Sequence, residues 1–346
     1  MLAACSSVTK TAKVVKKQPC WIGRPITTEY AGQVGVAQSR NNAGVKSEHN
    51  SRVRALAAAA KVLRFDGVIP KLQPDENAIM LGSHKIMFTD FIDREGLSYS
   101  LASWMGEPGN TEQCAPSQCD ISNCNPSWLC QSHSGENASV LGVSYHAALP
   151  VDRYQRAIDN GLMQTRLIHG SNIQSAVDIF SSSNSRTSQQ VMYSSSHVEA
   201  LNDNDLNHYA VTESCYIEGT ILQHIVLYDV PKKYTGAMSA EWIRTPKLNG
   251  IDAAVGTVEK LTASGLFSAQ LKLAVDRALV QLAQEVNVEV DVRSLYYQAQ
   301  GDTLLVASSM HEKSQALLKA QILAFHFELL KNQQLRIYAW VMRVAD

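Results

Sequence analysis

The stretch that decides the fold begins at Trp21-Ile22 and leads to Val34-Gly35-Val36-Ala37, a short apolar strand with a glycine inside it. The same arrangement occurs twice more along the chain. Each time a tryptophan stands fourteen residues before a strand glycine, in the pairs Trp21 and Gly35, Trp128 and Gly142, and Trp242 and Gly256. Tryptophan occurs only 5 times in 346 residues, so this equal spacing indicates an internal triplication.

Each glycine strand is followed by a stretch with helical character, which is richest in alanine in the first case. The three stretches are residues 51–63, 154–163 and 269–282. The third has an amphipathic stripe at i, i+4 spacing, whereas Gly161 makes the second a poorer helix. A glycine inside a strand marks a bulge or a close approach of another backbone. We therefore predict that each helix packs closely on its glycine strand.

Two antiparallel strands and a tight turn are predicted to close each unit. The first pair turns at residues 93–96 and the second at Gly219, while the third turns at 332–333 and ends in 335–341. Period-two alternation around Gly or Asn turns is a hairpin signal. Two other segments differ between the units: residues 315–324 predict an extra helix, and residues 181–190 predict a polar loop.

These patterns predict an α+β protein of three tandem small domains, each an antiparallel sheet packed on one or two helices. Domains of about 100–150 residues are common, and three fit this length. The expected divisions are a lipid-anchored tether (1–17), domain 1 (18–108), a Cys-rich junction (109–126), domain 2 (127–235) and domain 3 (236–346). The alternative is three unrelated strand edges, against which the alignment of the closing hairpins argues.

The first residues, Leu2-Ala3-Ala4-Cys5-Ser6-Ser7, have the form of a bacterial lipobox. Cys5 would carry acyl chains such as palmitate, and each buried CH₂ group adds about 0.8 kcal/mol of membrane affinity. The Lys-rich residues that follow would form the tether. Only four residues precede Cys5, although a signal peptide normally supplies a charged and an apolar region there. Either the start of the chain lies further upstream, or the motif is accidental.

Charge and motifs narrow the classes of function. A net charge of −1 with 18% charged residues argues against a nucleic-acid-binding protein, which would show a basic face. No catalytic or nucleotide-binding motif stands out, so we expect no enzyme, no cofactor and no metal. Four features carry reactive side chains but are interpreted as structural; they are His133, His146, Cys215 in a strand, and the acidic turn with Asp90, Asp93 and Glu95.

The cysteines point to an oxidising compartment. Setting Cys5 aside leaves six, namely Cys20, Cys114, Cys119, Cys124, Cys130 and Cys215. Four of these crowd the junction, which has little apolar sequence of its own, so we predict disulfides. Six cysteines allow fifteen connectivities, and the sequence does not choose among them. A four-cysteine zinc site is the rival interpretation, although its ligand spacings are marginal.

The lipobox, the Trp-Ile pair, the strand Val34-Gly35-Val36-Ala37, the Ala-rich helix and the closing turn together resemble the LPP-twenty-type outer-membrane lipoproteins, which include the flagellar lipoprotein FlgP. Trp242-Ile243 and Tyr338-Ala339-Trp340-Val341 repeat the pattern. Three copies and a Cys-rich junction depart from it. The resemblance implies a non-catalytic lipoprotein on the periplasmic face of the outer membrane, within a homo- or hetero-oligomeric ring of a secretion system or flagellum. A periplasmic peptidoglycan-binding module or a surface or adhesion lipoprotein is the alternative.

Overall fold

The computed structural model describes residues 17–39, 46–89, 91–106, 112–131, 133–144, 149–183, 188–200, 208–217, 219–232, 240–247, 252–259, 267–286, 288–298, 304–331 and 334–344. Within these ranges the chain is α+β, as the sequence predicts, with helices packed on several antiparallel sheets. Cys5, most of the tether and the turn at 332–333 lie outside them. Residues 18–108, 127–235 and 236–346 are called the first, second and third segments below.

The first segment builds a sheet in the order β2-β6-β4-β3, with β5 beside β6, and every pairing is antiparallel. Helix α2 packs on β2 and β6. The elements are β1 (Gln18–Pro19), α1 (Cys20–Gly23), β2 (Ala31–Gln38), α2 (Ser47–Val62), β3 (Ala78–Leu81), β4 (His84–Phe88), β5 (Ile92–Arg94) and β6 (Leu97–Met105), and β7 (Gln113–Cys114) follows in the junction and pairs with β1.

The second segment builds a sheet in the order β12-β13-β9-β8, and helix α3 packs on β9 and β13. Its elements are a 3-10 helix (Ser127–Leu129), β8 (His133–Ser134), β9 (Asn137–Val143), α3 (Arg153–His169), β10 (Ser171–Ser183), β11 (Ser188–Ala200), β12 (Tyr209–Ile217) and β13 (Thr220–Pro231). The predicted closing pair around Gly219 corresponds to β12 and β13.

The third segment builds a sheet in the order β14-β18-β17, and helix α4 packs on β14 and β18. Its elements are a 3-10 helix (Ala240–Ile243), β14 (Ala253–Val258), α4 (Phe267–Val286), β15 (Val288–Gln298), β16 (Leu304–Leu318), β17 (Ala320–Leu329) and β18 (Leu335–Arg343). Strands β10, β11, β15 and β16 belong to none of these sheets and form a fourth one together.

The three strand glycines each lie against the backbone of the helix that follows. A Cβ atom added to any of them would come closer than 3.0 Å to a helix carbonyl oxygen, a separation that real Cβ atoms essentially never show. The oxygens belong to Ser51, Ala157 and Ala274, opposite Gly35, Gly142 and Gly256 in turn. One helical turn further along, each helix again carries a small residue, namely Ala55, Gly161 or Ala278. This contact recurs in all three segments.

Gly161 is part of this contact. The sequence suggests that it weakens the second helix, yet α3 continues through it to His169. A Cβ added to Gly161 would lie 3.1 Å from the Cα of Gly142 and 2.5 Å from the Ile225 side chain. Glycine in a helix costs about 1 kcal/mol, and here the close packing of α3 on its sheet offsets that cost.

The three tryptophans cover the opposite face of each sheet. Trp21 packs with Val34 and Val36, the two neighbours of Gly35, because adjacent strand residues point to opposite faces. Trp128 packs with Leu141 and Val143 in the same way. Both of these apolar clusters extend into the following segment.

Trp242 stacks on Trp340 at 5.5 Å between ring centroids. Its apolar cluster, which includes Ala253 and Met342, contains residues of the third segment only. The third tryptophan face therefore differs from the first two, whose apolar clusters include residues of the following segment.

Two local predictions are wrong. Residues 315–324 are not a helix but run from the end of β16 into β17. Burial alternates with period two here, because Lys313 and Gln315 are exposed whereas Ser314 and Ala316 are buried. Tertiary pairing overrides the helix propensity of this stretch. Residues 181–190 are not a loop throughout, because they form the paired ends of β10 and β11 on either side of 184–187, which lie outside the described ranges.

The glycine contact predicts the effect of one added methyl group. Gly256→Ala should lower the free energy of unfolding by about 1–3 kcal/mol, a usual cost of overpacking. Its new Cβ meets backbone atoms of Ala274 and Ala278, which cannot rotate aside. Urea unfolding followed by tryptophan fluorescence measures the change.

Gly23→Ala is the matched control, because the nearest atoms to its added Cβ lie at 3.8 and 3.9 Å, in ordinary van der Waals contact. It should change the unfolding free energy by less than about 0.5 kcal/mol. Equal unfolding midpoints for the two variants would contradict the close contact.

Candidate functional site

All six cysteines predicted to form disulfides are bonded. The pairs are Cys20 with Cys114, Cys119 with Cys215, and Cys124 with Cys130. The first two close large loops, with sequence separations of 94 and 96 residues, and the third closes a short one of 6. Residues 112–131, called the braced loop below, contain four of the six sulfurs.

This pairing answers two questions left by the sequence. A zinc site made of the four cysteines of the braced loop is contradicted, because zinc binds thiolates and Cys114 and Cys119 are bonded to sulfurs outside the loop. Glu112 lies near Cys20 and Cys114, but bonded sulfurs offer no thiolate either. Cys215 is fully buried and bonded, so it is not a nucleophile.

The braced loop hydrogen-bonds to the edges of two sheets. At β12, the Tyr216 amide donates to the Ser117 carbonyl and the Cys119 amide donates to the Tyr216 carbonyl, both at 3.0 Å. At β17, the Phe325 amide donates to the Cys130 carbonyl at 3.2 Å. Because unpaired edges invite pairing with other chains, these bonds close two possible contact sites.

Four strands from two segments form what we call the shared sheet, in the order β11-β10-β16-β15. Its central pair joins the second segment to the third, with Ser171 opposite Leu318 and Ser183 opposite Val306. The base of the sheet is part of the core. Ile173 and Leu318 are buried there in the same apolar cluster as α4. One end of the shared sheet is therefore buried in a core that contains residues of both segments.

The base also contains a buried polar pair that fixes the register. The Ser175 and Ser314 hydroxyls lie 2.7 Å apart, and both residues are buried. They stand directly opposite each other across β10 and β16. Because a hydroxyl both donates and accepts, the pair satisfies itself only when the two strands are in this register.

The outer edges of the shared sheet differ from those of β12 and β17. Within the described residues, β11 pairs only with β10, and β15 pairs only with β16. Among the described residues, neither β11 nor β15 makes a backbone hydrogen bond to any other element. The two edges are 13 and 11 residues long, well above the usual strand length of about 5–6. No pattern in the sequence predicts this sheet.

A cavity of about 470 Å³ opens on the tryptophan face of the third segment. Its lining includes Ile243, Arg244, His326, Arg336 and Tyr338. Arg336 in this lining is paired, since it contacts Glu328 and Glu259, each at 3.1 Å. The Tyr338 hydroxyl donates to Glu328 at 3.1 Å, and burial raises the pKa of this tyrosine.

The acidic turn of the sequence analysis hydrogen-bonds to serines of the first segment. Asp93 accepts hydrogen bonds from Ser39, at 3.0 Å, and from Ser98. Glu95 adopts φ 53° in the turn and lies 3.7 Å from Arg94. Asp90 and His146 fall outside the described residues, and His133 lies in β8.

None of the helices in the described ranges is long and apolar enough to cross a membrane.

The disulfides predict a graded loss of stability. Replacing Cys20 and Cys114 with alanine should cost about 4–5 kcal/mol by loop entropy, since the bond closes a separation of 94 residues. Replacing Cys124 and Cys130 should cost only about 2 kcal/mol, since the separation is 6. Guanidinium unfolding of the unreduced protein measures both.

The Cys124 and Cys130 pair is the internal control, because both double variants remove one bond from the same braced loop. A larger loss from the short loop than from the long one would contradict the entropic account. Six free thiols in the isolated native protein would contradict the disulfides themselves.

Comparison of the chain with known protein families, with characterised proteins and with solved structures finds no match in any of the three.

Proposed function

We propose that this protein is a non-catalytic structural subunit of a large assembly in the bacterial envelope, such as a secretion-system outer-membrane core or a flagellar outer ring. The observation that carries the proposal is the shared sheet, whose two long edges are left without partners in the described part of the chain. A buried base holds this sheet in place. Rigid presentation of unpaired backbone groups suits contact between subunits better than it suits chemistry.

The disulfides support an envelope location. Three pairs of bonded cysteines are typical of proteins that fold in an oxidising compartment such as the periplasm. The lipobox around Cys5 supplies the proposed anchor, with acyl chains in the outer membrane and the body on the periplasmic side. The resemblance to the LPP-twenty-type lipoproteins supports the same placement.

The recurrent helix–strand contact supports three copies of one module within this subunit. In each segment, a strand glycine lies against a helix carbonyl and a tryptophan covers the other face of the sheet. We therefore propose three tandem domains with the boundaries 18–108, 127–235 and 236–346. The modules would not be independent units, because β10 of the second pairs with β16 of the third.

A second candidate function is a periplasmic binding module for peptidoglycan or another ligand, and the cavity of the third segment favours it. The tryptophan faces of the first two segments are covered by the following segment, whereas the third carries a cavity of about 470 Å³ with polar groups. Ligand pockets of about 300–1,000 Å³ are common. The paired charges of Arg336, Glu328 and Glu259 weaken this candidate.

Recovery from solubilised envelopes tests the structural role. The tagged chain, extracted in mild detergent, should co-purify with a large multi-protein assembly of defined size. Size-exclusion chromatography with mass spectrometry measures it. Cys5→Ser is the matched variant, and it should move the chain from the membrane fraction to the periplasmic fraction and reduce recovery of the assembly.

A monomer that retains purified peptidoglycan strands would favour the binding module instead. Deletion of the gene without effect on motility or secretion would count against both named machines. Unchanged membrane association of Cys5→Ser would contradict the lipid anchor. It would not bear on the assembly, which the co-purification tests separately.

A further inference from the structure

The shared sheet ends in two strands whose directions complement each other. Neighbouring strands are antiparallel throughout, so β11 and β16 run one way while β10 and β15 run the other. The sheet therefore begins and ends on strands of opposite direction. A second copy placed beside the first in the same orientation would bring its β11 next to β15, and these two strands would be antiparallel.

The two edge strands also lie at the same level along the strand axis. Two rows of directly opposed residues cross it, one through Ser196, Ser175, Ser314 and Val288, and the other through Ser188, Ser183, Val306 and Tyr296. Residues 188–196 of β11 and 288–296 of β15 therefore span the same two rows. A copy in the same orientation could pair along this whole length without shifting along the strand axis.

Neither edge contains proline or lysine, although β15 carries the charged residues Glu289, Asp291 and Arg293. Natural proteins protect open edges with proline and lysine, among other devices. The stretch Ser188–Ala200 and the stretch Val288–Gln298 contain no proline and no lysine. Two other sheet edges in the described chain are closed, since the braced loop hydrogen-bonds to β12 and β17.

We propose that copies of this chain assemble head to tail through the shared sheet, with β15 of one copy pairing with β11 of the next. The inference rests on the proposed structural role and identifies the partner as a second copy of this chain. One type of contact then satisfies both edges of every copy. Repetition of such a heterologous contact gives a ring when the rotation between copies closes.

Two-fold pairing is the geometric competitor. Two β11 edges related by a two-fold axis would also be antiparallel, but each such dimer would leave both of its β15 edges open. A second, different contact would be needed to pair them. Head-to-tail pairing needs no second contact, and it retains the strand alternation that the sheet already has.

Cysteine cross-linking tests the proposal directly. Met192 and Val292 belong to one row of opposed residues across the sheet, on β11 and β15. Within one copy they are separated by three strand spacings, about 14 Å in all. That distance exceeds the limit of about 7 Å between Cα atoms for a disulfide, so only neighbouring copies can be linked.

The double variant Met192→Cys with Val292→Cys, oxidised in intact cells, should shift from monomer to a ladder of covalent dimers, trimers and larger species on a non-reducing gel. Met192→Cys is also combined with Val290→Cys and with Ser294→Cys, because shifts of two residues keep the same face. Each single variant is a control and should remain monomeric. Retention of the three native disulfides, checked by peptide mapping, shows that the variants fold.

Monomers in all three registers would overturn the proposal. A single Met192→Cys variant that dimerises as strongly as the double variant would overturn it in favour of two-fold pairing. Failure of cross-linking together with recovery of a large assembly from envelopes would overturn the head-to-tail contact alone. Absence of an assembly in both experiments would overturn the proposed function as well.

Discussion

The architecture depends on one contact, the approach of a helix backbone to a strand at a position without a side chain. At Gly35, Gly142 and Gly256 a helix carbonyl occupies the space that a Cβ atom would need. This brings each helix close to its sheet and leaves the other face to a tryptophan. A helix held further away would leave gaps, and protein interiors do not tolerate gaps larger than a methyl group without loss of stability.

The braced loop connects segments that each contain this contact, and it covers sheet edges. Its disulfides join the first segment to the second, and its backbone closes the edges of β12 and β17. The tryptophan faces of the first two segments are covered by their successors. Contacts within the described chain thus cover two sheet edges and two tryptophan faces. The shared sheet keeps the two longest open edges in that part of the chain, and for this reason we propose a structural role.

The sequence predicts the features whose signal is local. The equal Trp–Gly spacing predicts the recurrent helix–strand contact, and a short alternating pattern predicts the hairpin around Gly219. The crowding of the cysteines predicts that six of them form disulfides. The shared sheet was missed because its central pairing joins Ser171 to Leu318, two residues far apart in the chain. For the same reason residues 315–324 were expected to be helical. From the sequence alone Gly161 predicts a weaker helix, because the sequence does not show that this residue faces Gly142.

Native-state hydrogen exchange on the whole chain tests the central claim most directly, because the slowest amides report the most stable part of each core. We expect the slowest-exchanging class to include β2 with α2, β9 with α3, and β14 with α4, in all three segments. Exchange of any one of these glycine strands as fast as that of the surface turns would contradict it. Such a result would mean that the helix–strand contact does not close a core in that segment.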